Sequence, residues 1–168
     1  MLDSYKQSGM FLALDEGTIE PSEFYDYIRR ESGRDTSDEA IRDTFCRFLV
    51  EIPRYKLEML RALRERFGVY LLSNTNGVMM PYIRDRFFTT EGLTADDYFD
   101  RMFLSYEMKL HKPGEEIFLT MLREGGFEAS ETLFIDDSQA NIATAERLGF
   151  ATYLARPRED YRAIFASL

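Results

Sequence analysis

Tryptophan is absent from this chain of 168 residues, and cysteine occurs once, at Cys46. A single thiol excludes an internal disulfide and fits a reducing, cytoplasmic setting. Cys46 falls in a helical pattern and reads as a core or half-buried residue. No apolar run approaches the ~20 residues needed to cross a bilayer. The N-terminus lacks the basic and apolar regions of a signal peptide. Positive charge is in deficit, with a formal net charge of -9. That argues against nonspecific binding to nucleic acid or an anionic membrane, though a site for phosphate could still be locally positive. Histidine also occurs once, at His111, beside Lys112. It reads either as a general acid or base or as an ordinary loop residue.

What is present is an ordinary globular share of apolar residues, 45%, rich in Phe and Tyr. The length fits one domain, with room for a small appendage. Residues 1–52 read as all-helical. The first helix is expected over Tyr5 to Leu14 and is stopped by Asp15-Glu16-Gly17. Pro21 opens the second, which carries Phe24, Tyr25, Tyr27 and Ile28 and ends at Ser32-Gly33. Thr36 and Glu39 form a capping box for the third, with Ile41, Phe45, Phe48 and Leu49 on one side. Three short helices cannot easily bury a core alone, so they should pack on another part of the chain.

From Pro53 onward helices and strands alternate. Leu57, Leu60, Leu63 and Phe67 form the inner stripe of a helix ending near Gly68. Val69 to Leu72 is a strand, and a helix follows through Arg86. The stretch from Phe87 to Asp97 is turn-rich, with Phe88 and Leu93 facing inward. Phe99 to Leu104 is a second strand and Ser105 to His111 a loop. Pro113 begins the next helix, with Ile117, Phe118, Met121 and Leu122 inside and Gly125-Gly126 at its end. Leu133 to Ile135 is a third strand. The helix after it has Ala140, Ala143, Ala145 and Leu148 available for its inner face and Gly149 at its end. Phe150 to Leu154 is a fourth strand, and a last helix covers Arg158 to Phe165. This order predicts an α/β fold with a doubly wound parallel sheet.

In a parallel sheet the carboxyl ends of all strands share one edge, where ligands bind. Three polar groups are placed to meet there. Ser73 and Asn74 can hold phosphate oxygens, or be ordinary turn residues. Lys112 can offset anionic charge, or be an exposed residue at a helix start. Asp136 and Asp137 can hold a hard cation such as Mg2+, or form an acidic turn in which Asp137 or Ser138 caps the helix. Their joint placement describes phosphoryl chemistry, in which positioning and charge neutralisation dominate.

The segments Leu-Leu-Ser73-Asn74-Thr-Asn, Lys112-Pro113 leading to Ile117-Phe118, and Phe-Ile-Asp136-Asp137-Ser-Gln-Ala-Asn141 resemble motifs II, III and IV of the haloacid dehalogenase superfamily. The likeness is nearest to its small sugar-phosphatase-like members with a helical cap. The resemblance implies a Rossmann-like core over residues 53–168 and a partial helical cap over residues 1–52. It implies that Ser73 and Asn74 hold the transferring phosphoryl group and that Lys112 orients and neutralises it. Asp136 would be the principal Mg2+ ligand, Asp137 a ligand or close support, and Asn141 a support of the acidic loop. The implied substrate is a small phosphorylated metabolite.

The family carries its nucleophilic aspartate at the end of a first, central strand, which lies between the strands ending at Ser73 and Asp136. Nothing in residues 1–168 matches it: Asp3 follows only Met1 and Leu2, and Asp15 ends a helix. The first central strand is therefore expected to be missing from this chain, and these residues alone should not hydrolyse phosphomonoesters. A late start site or truncation, a degenerate protein, and a split protein complemented by another polypeptide each account for that. The sheet would close its gap, recruit a segment from elsewhere through complementation or as a homo-oligomer, or be poorly stable. A 2-haloacid dehalogenase-type hydrolase and a non-catalytic phosphate-binding or self-associating remnant are the alternative functions.

Overall fold

A computed structural model describes residues 9–89 and 92–165. They form two compact units that divide between Lys109 and Leu110.

The first unit opens with α1 (Met10–Asp15), α2 (Pro21–Ser32) and α3 (Asp38–Phe45). Residues 5–8 of the expected first helix lie outside the described residues. Pro21 begins α2 as expected, because its fixed φ suits the first helical position, and the Glu20 and Glu23 side chains cap reciprocally. The cap of α3 is Ser37, not Thr36: the Ser37 hydroxyl accepts from the Ala40 amide. The three helices do need a partner, and α5 (Met79–Phe87) supplies it. Leu14, Phe24, Ile41 and Cys46 form one core with Val78 and Tyr82. Phe24 is fully buried between Phe11 and Phe45, with ring centroids at 5.3 and 5.1 Å.

A second core packs α4 (Arg54–Arg64) beside β1 (Tyr70–Ser73). It joins Leu57, Phe88, Tyr98 and Phe99 to Leu71 and Leu93, so Phe88 and Leu93 do face inward. Helix α4 stops earlier than expected, since the Arg66 and Phe67 amides both turn back to the Leu63 carbonyl. Phe67 consequently falls off the inner stripe and is exposed. The short parallel partner of β1 is β2 (Arg101–Leu104), paired from Tyr70↔Arg101 to Ser73↔Leu104. Asp100 closes the start of the pair: its carboxylate accepts from the Val69 amide at 2.7 Å and from Arg64 at 2.7 Å. The expected loop after β2 contains a one-turn helix, α6 (Ser105–Met108), closed by Lys109 in a left-handed conformation.

The second unit holds α7 (Glu115–Gly125), β3 (Leu133–Asp136), α8 (Gln139–Arg147) and β4 (Ala151–Leu154). β3 and β4 are parallel, from Leu133↔Ala151 to Asp136↔Leu154. Phe118, Phe134 and Phe150 make a three-ring core with centroids 5.2 to 6.2 Å apart. Pro113 does not begin α7. It sits in a turn closed by the Gly114 amide on the His111 carbonyl, and Gly114 precedes the helix. The buried face of α8 is Asn141, Ile142, Thr144 and Ala145, whereas Ala140 is exposed. The expected last helix is only a 3-10 turn over Arg162–Phe165. Glu159 prevents an earlier start by holding the Arg156 amide and the Tyr153 hydroxyl, and Arg158 is left-handed.

Among the described residues the strands form two parallel pairs, each a β-α-β unit, and no strand precedes the cap helices. The fold is the expected Rossmann-like α/β arrangement with a small helical cap, lacking the first central strand among these residues. No helix among them is long and apolar enough to cross a membrane.

Candidate functional site

The chemistry-bearing residues occur in both units, and each half has its own frame. In the first unit Ser73 ends β1 half-buried, and Asn74 follows, exposed. Thr75 and Asn76 are buried. Both main-chain polar groups of Thr75 bind one side chain: the Thr75 amide donates to Ser105 Oγ at 3.0 Å, and Ser105 Oγ donates to the Thr75 carbonyl at 2.9 Å. Asn76 Oδ1 accepts from the Val78 and Met79 amides at 3.1 and 2.8 Å and so caps α5. Its Nδ2 donates to Asp15 Oδ1 at 2.7 Å. The Thr75 hydroxyl is buried with no hydrogen-bond partner among the described residues. A cavity of about 440 Å³ in this unit is lined by Gly17, Pro21, Gly77, Tyr106 and Lys109, among others. Burial, then the hydrogen bond to Glu107, pushes the Tyr106 phenol up to about 12. Neither Asn76 nor Ser105 is among the candidates read from the sequence. The signal for Asn76 is a short polar side chain just before a helix start; Ser105 leaves none.

In the second unit the end of β3 organises a compact charged network. Lys112 Nζ donates to Asp136 Oδ2 at 2.7 Å, with the two side chains only 9% and 7% exposed. Asp136 Oδ1 accepts from the Ser138 amide at 2.8 Å and from Asn141 Nδ2 at 2.9 Å. The strand delivers Asp136, the turn before Gly114 delivers Lys112, and α8 delivers Asn141. Lys112, Asp136 and Asn141 therefore meet in one network, Lys112 and Asp136 as expected of groups at one sheet edge and Asn141 in the loop-supporting place that the resemblance implies. Asp137 points elsewhere: it is exposed and makes no hydrogen bond or ion pair among the described residues. Ser138 precedes α8 without a side-chain capping bond, so the turn is held by Asp136 and not by Asp137 or Ser138. His111 is half-buried in the turn before Gly114.

The donor set fits Mg2+ in part. Mg2+ typically takes one or two carboxylates and completes its shell with water and phosphate oxygens. Asp137 offers a whole carboxylate, and Asp136 Oδ2 keeps one lone pair beyond Lys112. No group of three or more His, Cys, Asp or Glu side chains gathers among the described residues.

Parallel β-α-β units and a helical cap define a Rossmann-like α/β protein, and in the second unit a strand end carries a buried lysine-aspartate network. A sequence model described as haloacid dehalogenase-like hydrolase matches residues 23–149. The chain belongs to that family. It is 37% identical over 161 residues to D-ribitol-5-phosphate phosphatase of Bacteroides thetaiotaomicron, covering 96% of this chain and 78% of that protein. A haloacid dehalogenase family enzyme from the same organism, solved in complex with magnesium and inorganic phosphate, superposes with a TM-score of 0.91. It is 42% identical, over 96% of this chain and 81% of that one. A predicted family hydrolase from Porphyromonas gingivalis gives a TM-score of 0.87 at 36% identity, over 97% and 80% of the two chains.

Proposed function

We propose that this protein is built for Mg2+-dependent hydrolysis of small phosphomonoesters, with sugar or polyol phosphates as the substrate class, in the cytoplasm. The observation that carries the reading is the buried Lys112–Asp136–Asn141 network at the end of β3, with an exposed carboxylate, Asp137, immediately after it. A shielded cation held in place before the ligand arrives is what phosphoryl transfer asks of a protein. The magnesium and phosphate complex of the Bacteroides thetaiotaomicron enzyme supports phosphate over halide chemistry. The phosphatase relative supports a phosphorylated polyol.

In this reading Ser73 and Asn74 bind phosphoryl oxygens, and Lys112 neutralises and orients them. Asp136 fixes Lys112 and the acidic turn. Asp137, with the spare lone pair of Asp136, holds Mg2+, which when bound neutralises phosphate charge and polarises the phosphoryl group. Asn141 keeps Asp136 in one orientation. Residues 1–52 serve as cap and residues 53–168 as core. Among the described residues no strand precedes the cap helices and no aspartate stands in the place of the family's nucleophile, so the described residues by themselves are expected to bind phosphate without turning over phosphomonoesters.

Titration calorimetry with inorganic phosphate, with and without Mg2+, tests the reading. Heat that requires Mg2+ and disappears in Ser73→Ala is the expected result. Absence of phosphate binding by the folded wild-type chain in both conditions would refute it.

A further inference from the structure

Parallel pairing of β1 and β2 ends at Ser73↔Leu104. Beyond it the backbone would be free to wander, but two buried side chains take over. Ser105, fully buried, binds the amide and carbonyl of Thr75. Asn76, 1% exposed, uses both ends of its amide. One end caps α5, and the other reaches a residue 61 positions away, Asp15 at the end of α1. Nδ2 also donates to Met79 Sδ at 3.3 Å. The hydrogen-bonding capacity of the Asn76 side chain is thereby filled. The chain that leaves α1 is itself held two residues beyond Asp15. Gly17 has φ 61, Lys109 Nζ donates to its carbonyl, and a β-carbon there would collide with the Tyr106 carbonyl.

A helix cap by itself needs only Oδ1. The contact to Asp15 adds something else: it fixes the direction of the whole amide plane from outside the loop. With Thr75 held through Ser105 and Asn76 held from both ends, the segment before them has little freedom left. That segment is Ser73-Asn74.

We infer that Asp15 and Asn76 are a positioning pair that holds the Ser73–Asn74 backbone in its phosphate-binding arrangement, with α1 as the outside anchor. This inference rests on the reading of Ser73 and Asn74 as the phosphate-binding segment. Neither member of the pair touches phosphate; both act through the loop.

Asn76→Asp tests it, because the carboxylate can still accept from the Val78 and Met79 amides but sets an oxygen against the Asp15 carboxylate. Asp15→Asn combined with Asn76→Asp returns a donor to the contact with its direction reversed. Two measurements are made on the whole chain: hydrogen exchange of the Thr75–Met79 amides, and calorimetric affinity for inorganic phosphate with Mg2+. Asn76→Asp should speed the exchange and weaken phosphate binding by about tenfold each, the equivalent of about 1.4 kcal/mol. The paired variant should recover both to within about threefold. Should Asn76→Asp not fold, Asp15→Ala removes the tie and leaves the α5 cap, and should reproduce both losses.

Faster exchange with unchanged phosphate affinity would make the contact a structural tie only and overturn the inference. So would a paired variant no better than the single one. A wild-type chain that binds no phosphate refutes the phosphate-site reading instead. Exchange then decides whether the pair orders the loop: slow exchange restored in the paired variant upholds the ordering, and its absence rejects it.

Discussion

Replacing Lys112 with methionine should be among the most damaging single changes in the second unit. The Lys112–Asp136 pair is 2.7 Å apart and more than nine-tenths shielded on both sides. Methionine keeps most of the stem that runs beside Phe134, whose ring centroid lies 5.5 Å from Nζ, so little packing is lost. What remains is a buried carboxylate without its cation. Removing one member of a buried pair costs about 3–5 kcal/mol. The Ser138 amide and Asn141 still hold Oδ1, which places Lys112→Met at the lower end, about 3 kcal/mol. For a chain of this length that lowers the melting temperature by roughly 6–12 °C. Urea unfolding provides the test, with the midpoint falling and the slope unchanged. Salt should barely alter the loss, because buried pairs are poorly screened. Adding Asp136→Asn to Lys112→Met removes the stranded charge, and the double variant should be more stable than the sum of the two single losses predicts. A cost under about 1 kcal/mol, as for an exposed pair, or strict additivity would refute the reasoning.

Two other substitutions probe the first unit. Thr75→Val removes a buried hydroxyl that has no partner among the described residues, at nearly constant shape. It should leave stability unchanged or raise it by up to about 1 kcal/mol in urea unfolding. Asp100→Asn acts on a carboxyl held below its ordinary range by the Val69 amide first and by Arg64 as well. A depressed folded value means the contribution is complete above the unfolded value near 3.9, and fades as pH falls through the folded one. The wild-type advantage over Asp100→Asn should therefore be constant above about pH 5 and vanish in stronger acid, as unfolding midpoints at a series of pH values would record. The Asp100 side chain is 37% exposed, so solvent screening keeps that advantage to about 1 kcal/mol or less.

The strands were legible because each is a short apolar run bounded by turn residues, and the structure moves their ends by only a residue or two. Asp136 was legible for the same reason, as the end of a strand, whereas Lys112 sits in a turn before α7 rather than at its start, and Asn141 was read through the family resemblance. Hydrogen-bond partners were not legible. Apolar spacing cannot show that Glu159 engages the Arg156 amide and so withholds a final helix, or that Asn76 reaches across to Asp15. Nor can it show that the Leu63 carbonyl ends α4 before Phe67. Each is a polar contact made to a specific atom, and periodicity carries no information about atoms. The inner face of α8 was misread in part because Asn141 and Thr144 are buried polar residues. Asn141 is bonded to Asp136, and Thr144 to the Pro113 carbonyl.

The same limit explains how two adjacent acids, alike in sequence, come to differ. Successive side chains at a strand end leave opposite faces. Asp136 turns into the network of Lys112, the Ser138 amide and Asn141, while Asp137 stands in the open. A carboxylate that already receives three donors has one lone pair to give; an unengaged one has its full set. The resemblance implies Asp136 as the principal ligand and Asp137 as a ligand or close support; the lone-pair count makes Asp137 the freer carboxylate, and we propose that it carries the larger share of Mg2+ binding. Asp137→Asn should keep the unfolding midpoint within about 0.5 kcal/mol of wild type, as an exposed substitution does. It should nevertheless remove Mg2+-dependent phosphate binding. Asp136→Asn should lower stability by about 2 kcal/mol, since it strands the Lys112 ammonium. If Asp137→Asn binds Mg2+ and phosphate as the wild type does, Asp137 is only a surface carboxylate and the metal must be held by Asp136.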